Sequence, residues 1–352
     1  ELLTVPGMQP LRQQLLSSAM EFYDDFTQDR ENSREMLVEL ASAHYRIGVI
    51  RGELGQEEPS SISNDKSIEL FEKLLDGEND GLDVRLGLAK SLFRAKRYYE
   101  TVPLCREILE ANAKHAETRS LLANTYNSLA IGDNKGKVKI ATALEYHQQS
   151  LALRESLVRE FPGNPNYLAQ LGSTLNNLGV LLSRQRRTRE ALAMFQRGNS
   201  YKAEAYELAP QTISWGRWLS IGLKNVATIQ AQLGAQNDAL QSYEQNVGVR
   251  RKLAFENAAV PSLKGELHQA WMDLANYQRE LMLTAKANRS LKAAQEVLEN
   301  IPRSTPGELF DLAIVYGALS LPTESSAESP SENETERQRY ADLAMETIAK
   351  AI

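Results

Sequence analysis

Apolar residues recur along this chain at helical spacing. Leu168, Leu171, Leu175, Leu178 and Leu182 fall three or four residues apart, so they form one stripe of an amphipathic helix. The stripe repeats. Leu178-Gly179, Val226-Ala227 and Leu274-Ala275 are 48 residues apart (226 − 178 and 274 − 226), as are Ala143, Ala191 and Ala239. Leu175, Leu223 and Trp271 form a third column in the same register, and Leu171, Leu219 and Leu267 a fourth. Turn-forming residues fall between the stripes: Pro162-Gly163-Asn164-Pro165, Pro210, Gly234, Pro261, Pro302 and Pro306-Gly307. No stretch alternates with the period of a strand. The pattern predicts an all-α chain of repeated helix pairs.

Within each unit a small residue follows a leucine or valine, an alanine comes twelve positions later, and an aromatic four beyond that. Gly179, Ala191 and Phe195 make one set; Ala227, Ala239 and Tyr243 make the next. This order resembles the tetratricopeptide repeat, in which small residues let two antiparallel helices touch and the aromatic fills the gap beside them. The resemblance implies an α-solenoid, a right-handed superhelix of about seven helix pairs. A 48-residue unit exceeds the roughly 34 residues of the standard repeat, so longer helices are expected. Four further units are less regular. Leu88-Ala89 is followed by Thr101 and by Cys105 in the aromatic position, and Leu122-Ala123 by an insertion at 131–139. The first, at Ile47-Gly48, is expected to carry a loop at 56–65, and the last, at Leu312-Ala313, an interruption at 321–336.

Two segments stand outside the array. Residues 9–29 read as an amphipathic helix, and 1–30 is expected to cap the repeats that occupy 31–352. The stretch 322–336 is rich in Ser and Glu and is expected to be a mobile loop.

Composition narrows the function. Hydrophobic residues make up 42% and charged residues 24%, which suits a packed globular chain. A net charge of −6 argues against nucleic acid as partner, since phosphate binding relies on clustered Lys and Arg. Cys105 is the only cysteine, which excludes an intramolecular disulfide and a cysteine-based zinc site. No apolar run is long enough to span a membrane. The chain begins at Glu1 without a signal-peptide layout and reads as a piece of a longer protein.

Catalytic motifs are missing. His44, His115, His147 and His268 lie far apart, without metal-site spacing. Lys135-Gly136-Lys137 lacks the rest of a phosphate loop, and there is no nucleophile elbow or kinase signature. No cofactor or metal is implied. Arg184, Arg186, Arg187 and Arg189 fall at a turn and read as a solvated basic run; Trp215 and Trp218 read as packing between repeats rather than as a ligand anchor.

In the repeat family the first helix of each pair lines a concave groove. The positions flanking the Leu-Gly dipeptide are the candidate peptide-binding residues here: Asn124, Asn127, Asn176, Asn177, Lys224, Asn225, Asp273 and Asn276. An asparagine amide both donates and accepts, so a row of them can pair with an extended backbone whatever its sequence. Lys224 is positioned to take a carboxylate.

The opening Leu2-Leu3-Thr4-Val5-Pro6-Gly7-Met8-Gln9-Pro10-Leu11-Arg12, with Leu15-Leu16 and Phe22-Tyr23, resembles the segment introducing the repeat region of planctomycete-type bacterial serine/threonine protein kinases. Leu309-Phe310-Asp311-Leu312-Ala313-Ile314-Val315-Tyr316 and Tyr340-Ala341-Asp342-Leu343-Ala344-Met345 resemble the end of that region. The resemblance implies an upstream kinase domain, often followed by a membrane span. The repeats would then be a sensing or docking region, extracytoplasmic if the span is present and cytoplasmic if not. The expected function is a non-catalytic scaffold for a protein or extended peptide. The alternatives are a self-associating module, hence a homo-oligomer, and an enzyme on a helical toroid.

Overall fold

The computed structural model describes residues 34–75, 81–132, 139–299, 306–321 and 330–351, together with Gln14 and Ser18. The capping segment expected at 1–30 therefore lies outside the described residues, apart from these two helical positions. Among the described residues all regular structure is helical. The chain divides into two compact units, Glu1–Arg184 and Gln185–Ile352.

The first unit contains α1 (Arg34–Glu53), α2 (Glu57–Leu75), α3 (Leu82–Arg94), α4 (Tyr98–Ala111), α5 (Ala116–Gly132), α6 (Ile140–Glu160) and α7 (Pro165–Arg184). Its core is built locally. Leu40 and Ala41 of α1, Ile68, Phe71 and Leu74 of α2 and Val84, Leu88 and Leu92 of α3 form one cluster. Leu86 and Ala89 of α3, Cys105 and Ile108 of α4, and Leu122, Tyr126 and Leu129 of α5 form the next. Each cluster draws on three consecutive helices, as expected when a repeat buries its apolar face only against its neighbours.

The second unit contains α8 (Thr188–Leu208), α9 (Ile213–Gln232), α10 (Gln236–Glu256), α11 (Ser262–Glu280), α12 (Thr284–Glu299), α13 (Pro306–Leu319) and α14 (Pro330–Ala351). Met272 and Ala275 of α11, Leu291, Ala294 and Leu298 of α12, Leu312 and Val315 of α13 and Ala344 of α14 share a core.

Most of the repeat columns are buried; in the third, Leu175 is fully buried while Leu223 and Trp271 are half-buried. Ala143, Ala191 and Ala239 are fully buried, and the column continues to a fully buried Ala287. Ala227 and Ala275 are equally enclosed.

Turns repeat as well. Arg186, Gly234 and Met282, at 48-residue steps, all have positive φ (59°, 76° and 59°), as do Gly55 and Lys96. Around Gly234 the amide of Ala235 donates to the Gln230 carbonyl at 2.9 Å and that of Gly234 to Ala231 at 3.0 Å. Leu283 to Gln278 (2.8 Å) and Arg97 to Leu92 (2.9 Å) repeat the outer bond. Such paired bonds around a left-handed residue terminate a helix by satisfying its last carbonyls.

Two expected loops are corrected. Residues 57–65 belong to α2, and 330–336 are the first turns of α14; 322–329 lie outside the described residues. α2 looks loop-like in sequence because its inward face is polar. Ser60 Oγ donates to the Gly48 carbonyl (2.6 Å), Asn64 Nδ2 to the Ser91 carbonyl (3.0 Å) and Ser67 Oγ to the Ala41 carbonyl (2.8 Å). These bonds offset much of the cost of burying the two hydroxyls and the Asn64 amide nitrogen, while Asn64 Oδ1 is buried without a partner. In α14 a proline occupies the first helical position, where no backbone donor is lost.

Candidate functional site

The predicted groove residues lie on first helices: α5 and α7 in the first unit, α9 and α11 in the second. The structure ties these helices together with polar side chains. In the first unit Ser120 Oγ of α5 donates to Gln170 Oε1 of α7 at 3.3 Å, and two turns further along Asn177 Nδ2 donates to Asn127 Oδ1 at 3.1 Å. In the second unit Arg217 of α9 binds Glu266 of α11 (2.8 Å) and Lys224 binds Asp273 (2.6 Å). On every one of these helices the two partners are seven residues apart, two helical turns, which places them on one face. Two polar rungs thus join α5 to α7 within the first unit, and two join α9 to α11 within the second.

Four of the predicted residues, Asn127, Asn177, Lys224 and Asp273, are rung partners. Asn124 is half-buried and its Oδ1 accepts from Arg154 Nη2 of α6 at 2.6 Å. Arg154 also reaches the Gln170 carbonyl and Thr174 Oγ1. Burial lowers this guanidinium to about 10. Asn176 and Asn225 are half-buried and also have partners. Asn276 is exposed.

Sequence reasoning placed Lys224 to receive a carboxylate, and the structure already supplies one in Asp273, whose Oδ1 also accepts from Gln269 Nε2 at 3.1 Å. Lys224 is 45% exposed, and an ion pair at such a surface is worth only about 0–1 kcal/mol. Exchange for an external carboxylate is therefore cheap. Ser120, Gln170, Arg217 and Glu266 were missed. Their signal was available: each stands seven residues before a predicted groove residue, at Asn127, Asn177, Lys224 and Asp273 respectively.

Two cavities open beside the rungs of the second unit. One, of about 240 Å³, is lined by Lys224, Asn225, Arg250, Glu266 and Asp273. Arg250 joins Arg217 on Glu266, and burial together with the Arg217 charge lowers it to about 10. The other, of about 520 Å³, is lined by Thr228, Gln236, Tyr243, Asp273, Asn276 and Tyr277. The rings of Tyr243 and Tyr277 meet at 5.2 Å, tilted. Asp273 borders both cavities, so this groove offers cations and amides at one place and carboxylate with aromatic surface at the next.

Cys105 is fully buried, which pushes its thiol up to about 12. His147 is buried on α6 and held down at about 4 by burial and by the charge of Arg154. His268 is buried against the Ala294 carbonyl, and burial lowers it too. His115 Nδ1 accepts the Thr118 amide at 3.3 Å at the start of α5. Arg187 of the basic run forms a local pair with Glu190 at 2.7 Å. Trp215 is buried and Trp218 is 38% exposed. Among the described residues no three potential metal ligands converge and no helix is long and apolar enough to cross a membrane.

Residues 171–198 match the family model described as tetratricopeptide repeat. No curated protein matches the chain. Among solved structures, the Schizosaccharomyces pombe nuclear import adaptor Nro1 is similar at 13% identity, with a TM-score of 0.55 over 80% of this chain and 99% of that one. The C-terminal part of a TPR repeat-containing protein from Cytophaga hutchinsonii aligns at 15% identity and a TM-score of 0.48, covering 80% of this chain and 90% of the other. The likeness to Nro1 establishes an all-α helical-repeat fold.

Proposed function

We propose that this chain is a non-catalytic scaffold whose first helices hold an extended segment of a partner protein. The rungs carry this reading. Each places amide or charged groups on the face shared by consecutive first helices, and the Asn127–Asn177 bond uses only one donor and one lone pair of two amides that have more of both. Nro1, a protein of similar fold, is named as an adaptor. The opening motif at Leu2–Arg12 and the closing motifs support a finer reading, in which this scaffold is the sensing or docking region of a larger bacterial serine/threonine kinase.

The test is selection of peptides from a random displayed library on the full chain, followed by calorimetry of the selected peptides. Asn177→Ala with Asn225→Ala, and separately Lys224→Ala, are expected to weaken binding about tenfold, and amide exchange should slow in α7, α9 and α11 on binding. Peptides that bind both variants unchanged, or a library that yields none, would refute a groove scaffold. A concentration-dependent dimer indifferent to these substitutions would instead favour self-association.

A further inference from the structure

A second cavity system lies elsewhere on the second unit. Between α10 and α12, with α11 as floor, a depression of about 330 Å³ is lined by Val247, Gly248, Trp271 and Leu274 and by Arg251, Lys286 and Arg289. At about 100° per residue, Trp271 lies about 150° and Leu274 about 90° around α11 from the face that carries Glu266 and Asp273, so this depression and the groove occupy different sides of that helix.

Three properties mark it. Val247 and Leu274 are buried and Trp271 partly so, giving an apolar base. Around that base stand three cations and one carboxylate, Glu244, in a chain whose net charge is −6. Among the described residues none of Arg251, Lys286 and Arg289 pairs with a carboxylate; the Nε of Arg289 makes only a 3.4 Å contact with the Ala285 carbonyl of its own helix. Finally, Gly248 sits in the interior of α10, where a glycine costs about 1 kcal/mol relative to alanine. A Cβ there would meet nothing within 4 Å. The chain's own packing does not require this glycine, while a backbone left bare beside a cavity permits close approach by another chain.

We infer that this face of the second unit docks an acidic peptide segment, with an apolar side chain seated over Trp271 and Leu274 and its carboxylates on Arg251, Lys286 and Arg289. Charge complementarity selects the occupant: apolar surface alone would accept many chains, but unpaired cations around it favour flanking Asp and Glu. This site is independent of the groove, and either can fail without the other.

The experiment is a fluorescence-anisotropy titration of a fluorescein-labelled hexapeptide, Asp-Glu-Leu-Phe-Glu-Asp, with the full chain. Saturable binding is expected. Gly248→Trp, which fills the depression, and the double charge reversal Arg251→Glu with Arg289→Glu should each weaken it at least tenfold, with circular dichroism unchanged. Lys224→Ala should leave it unaltered. The inference is overturned if binding does not saturate by about 1 mM, if both variants bind as the parent does, or if replacing Asp and Glu by Lys in the peptide changes nothing. Loss of binding in Lys224→Ala would assign the peptide to the groove instead, and a dimer abolished by Gly248→Trp would assign this face to a second copy.

Discussion

At residue scale the helix turns show where the repeat is imperfect. Met282 adopts φ 59° at the position that Gly234 fills one repeat earlier. A side chain in that region costs about 1–2 kcal/mol, and this one is 69% exposed, so it returns little by packing. Met282→Gly is therefore expected to raise stability by about 1 kcal/mol in urea denaturation. Gly87→Ala should do the reverse. Its added Cβ would lie 2.2 Å from Cζ of the buried Phe71 ring, and overpacking of about 1–3 kcal/mol outweighs the better helix propensity. Buried titratable groups add a pH dependence. Lys202 is 3% exposed, and burial lowers it from 10.5 to about 8. Above pH 10.5 it is neutral in both states. As pH falls toward 8 the unfolded chain takes the proton first, so stability declines by roughly 3 kcal/mol and stays reduced below that. Lys202→Met should accordingly stabilise the chain at pH 7 and flatten denaturation midpoints between pH 8 and 10. His147, held at about 4, acts in the same sense: stability is lost as pH falls from 6.5 to 4.

At the scale of elements, α1 to α3 show how a polar seam replaces part of an apolar core. Arg94 of α3 donates through Nη2 to the Gly48 carbonyl at 2.7 Å and to Ser60 Oγ at 3.2 Å, linking the last turns of α1 to α2. A cation near a helix C-terminus also complements its dipole. Arg94→Met keeps the length and loses these bonds, at a cost of about 1.5–3 kcal/mol. Hydrogen exchange should then accelerate in the last turns of α1 while α5 is unaffected. Equal acceleration in both helices would mean that the seam is not a local device.

At the scale of the molecule, the division into two units has a measurable consequence. Trp215, Trp218 and Trp271 are the three tryptophans, and all lie in the second unit. Tryptophan fluorescence thus follows that unit, whereas far-ultraviolet circular dichroism follows every helix. Arrays with nearest-neighbour packing need not unfold in one step. The two probes are expected to give different urea midpoints, and Gly87→Ala should shift the dichroism curve but leave the fluorescence curve in place; superimposable curves would show a single cooperative unit. The helix pairs themselves were legible in the chain because a 48-residue period writes small residues such as Ala191 and Ala239 at each crossing, where they are fully buried. Of the proposed groove residues, the sequence showed only which helices carry them. That Lys224 is held by Asp273, that Asn177 reaches Asn127 and that Ser60 and Asn64 belong to a core depended on tertiary structure. Sequence spacing reports which face of a helix a residue occupies, but a hydrogen bond needs a partner from another helix, and that distance is set only when the helices pack.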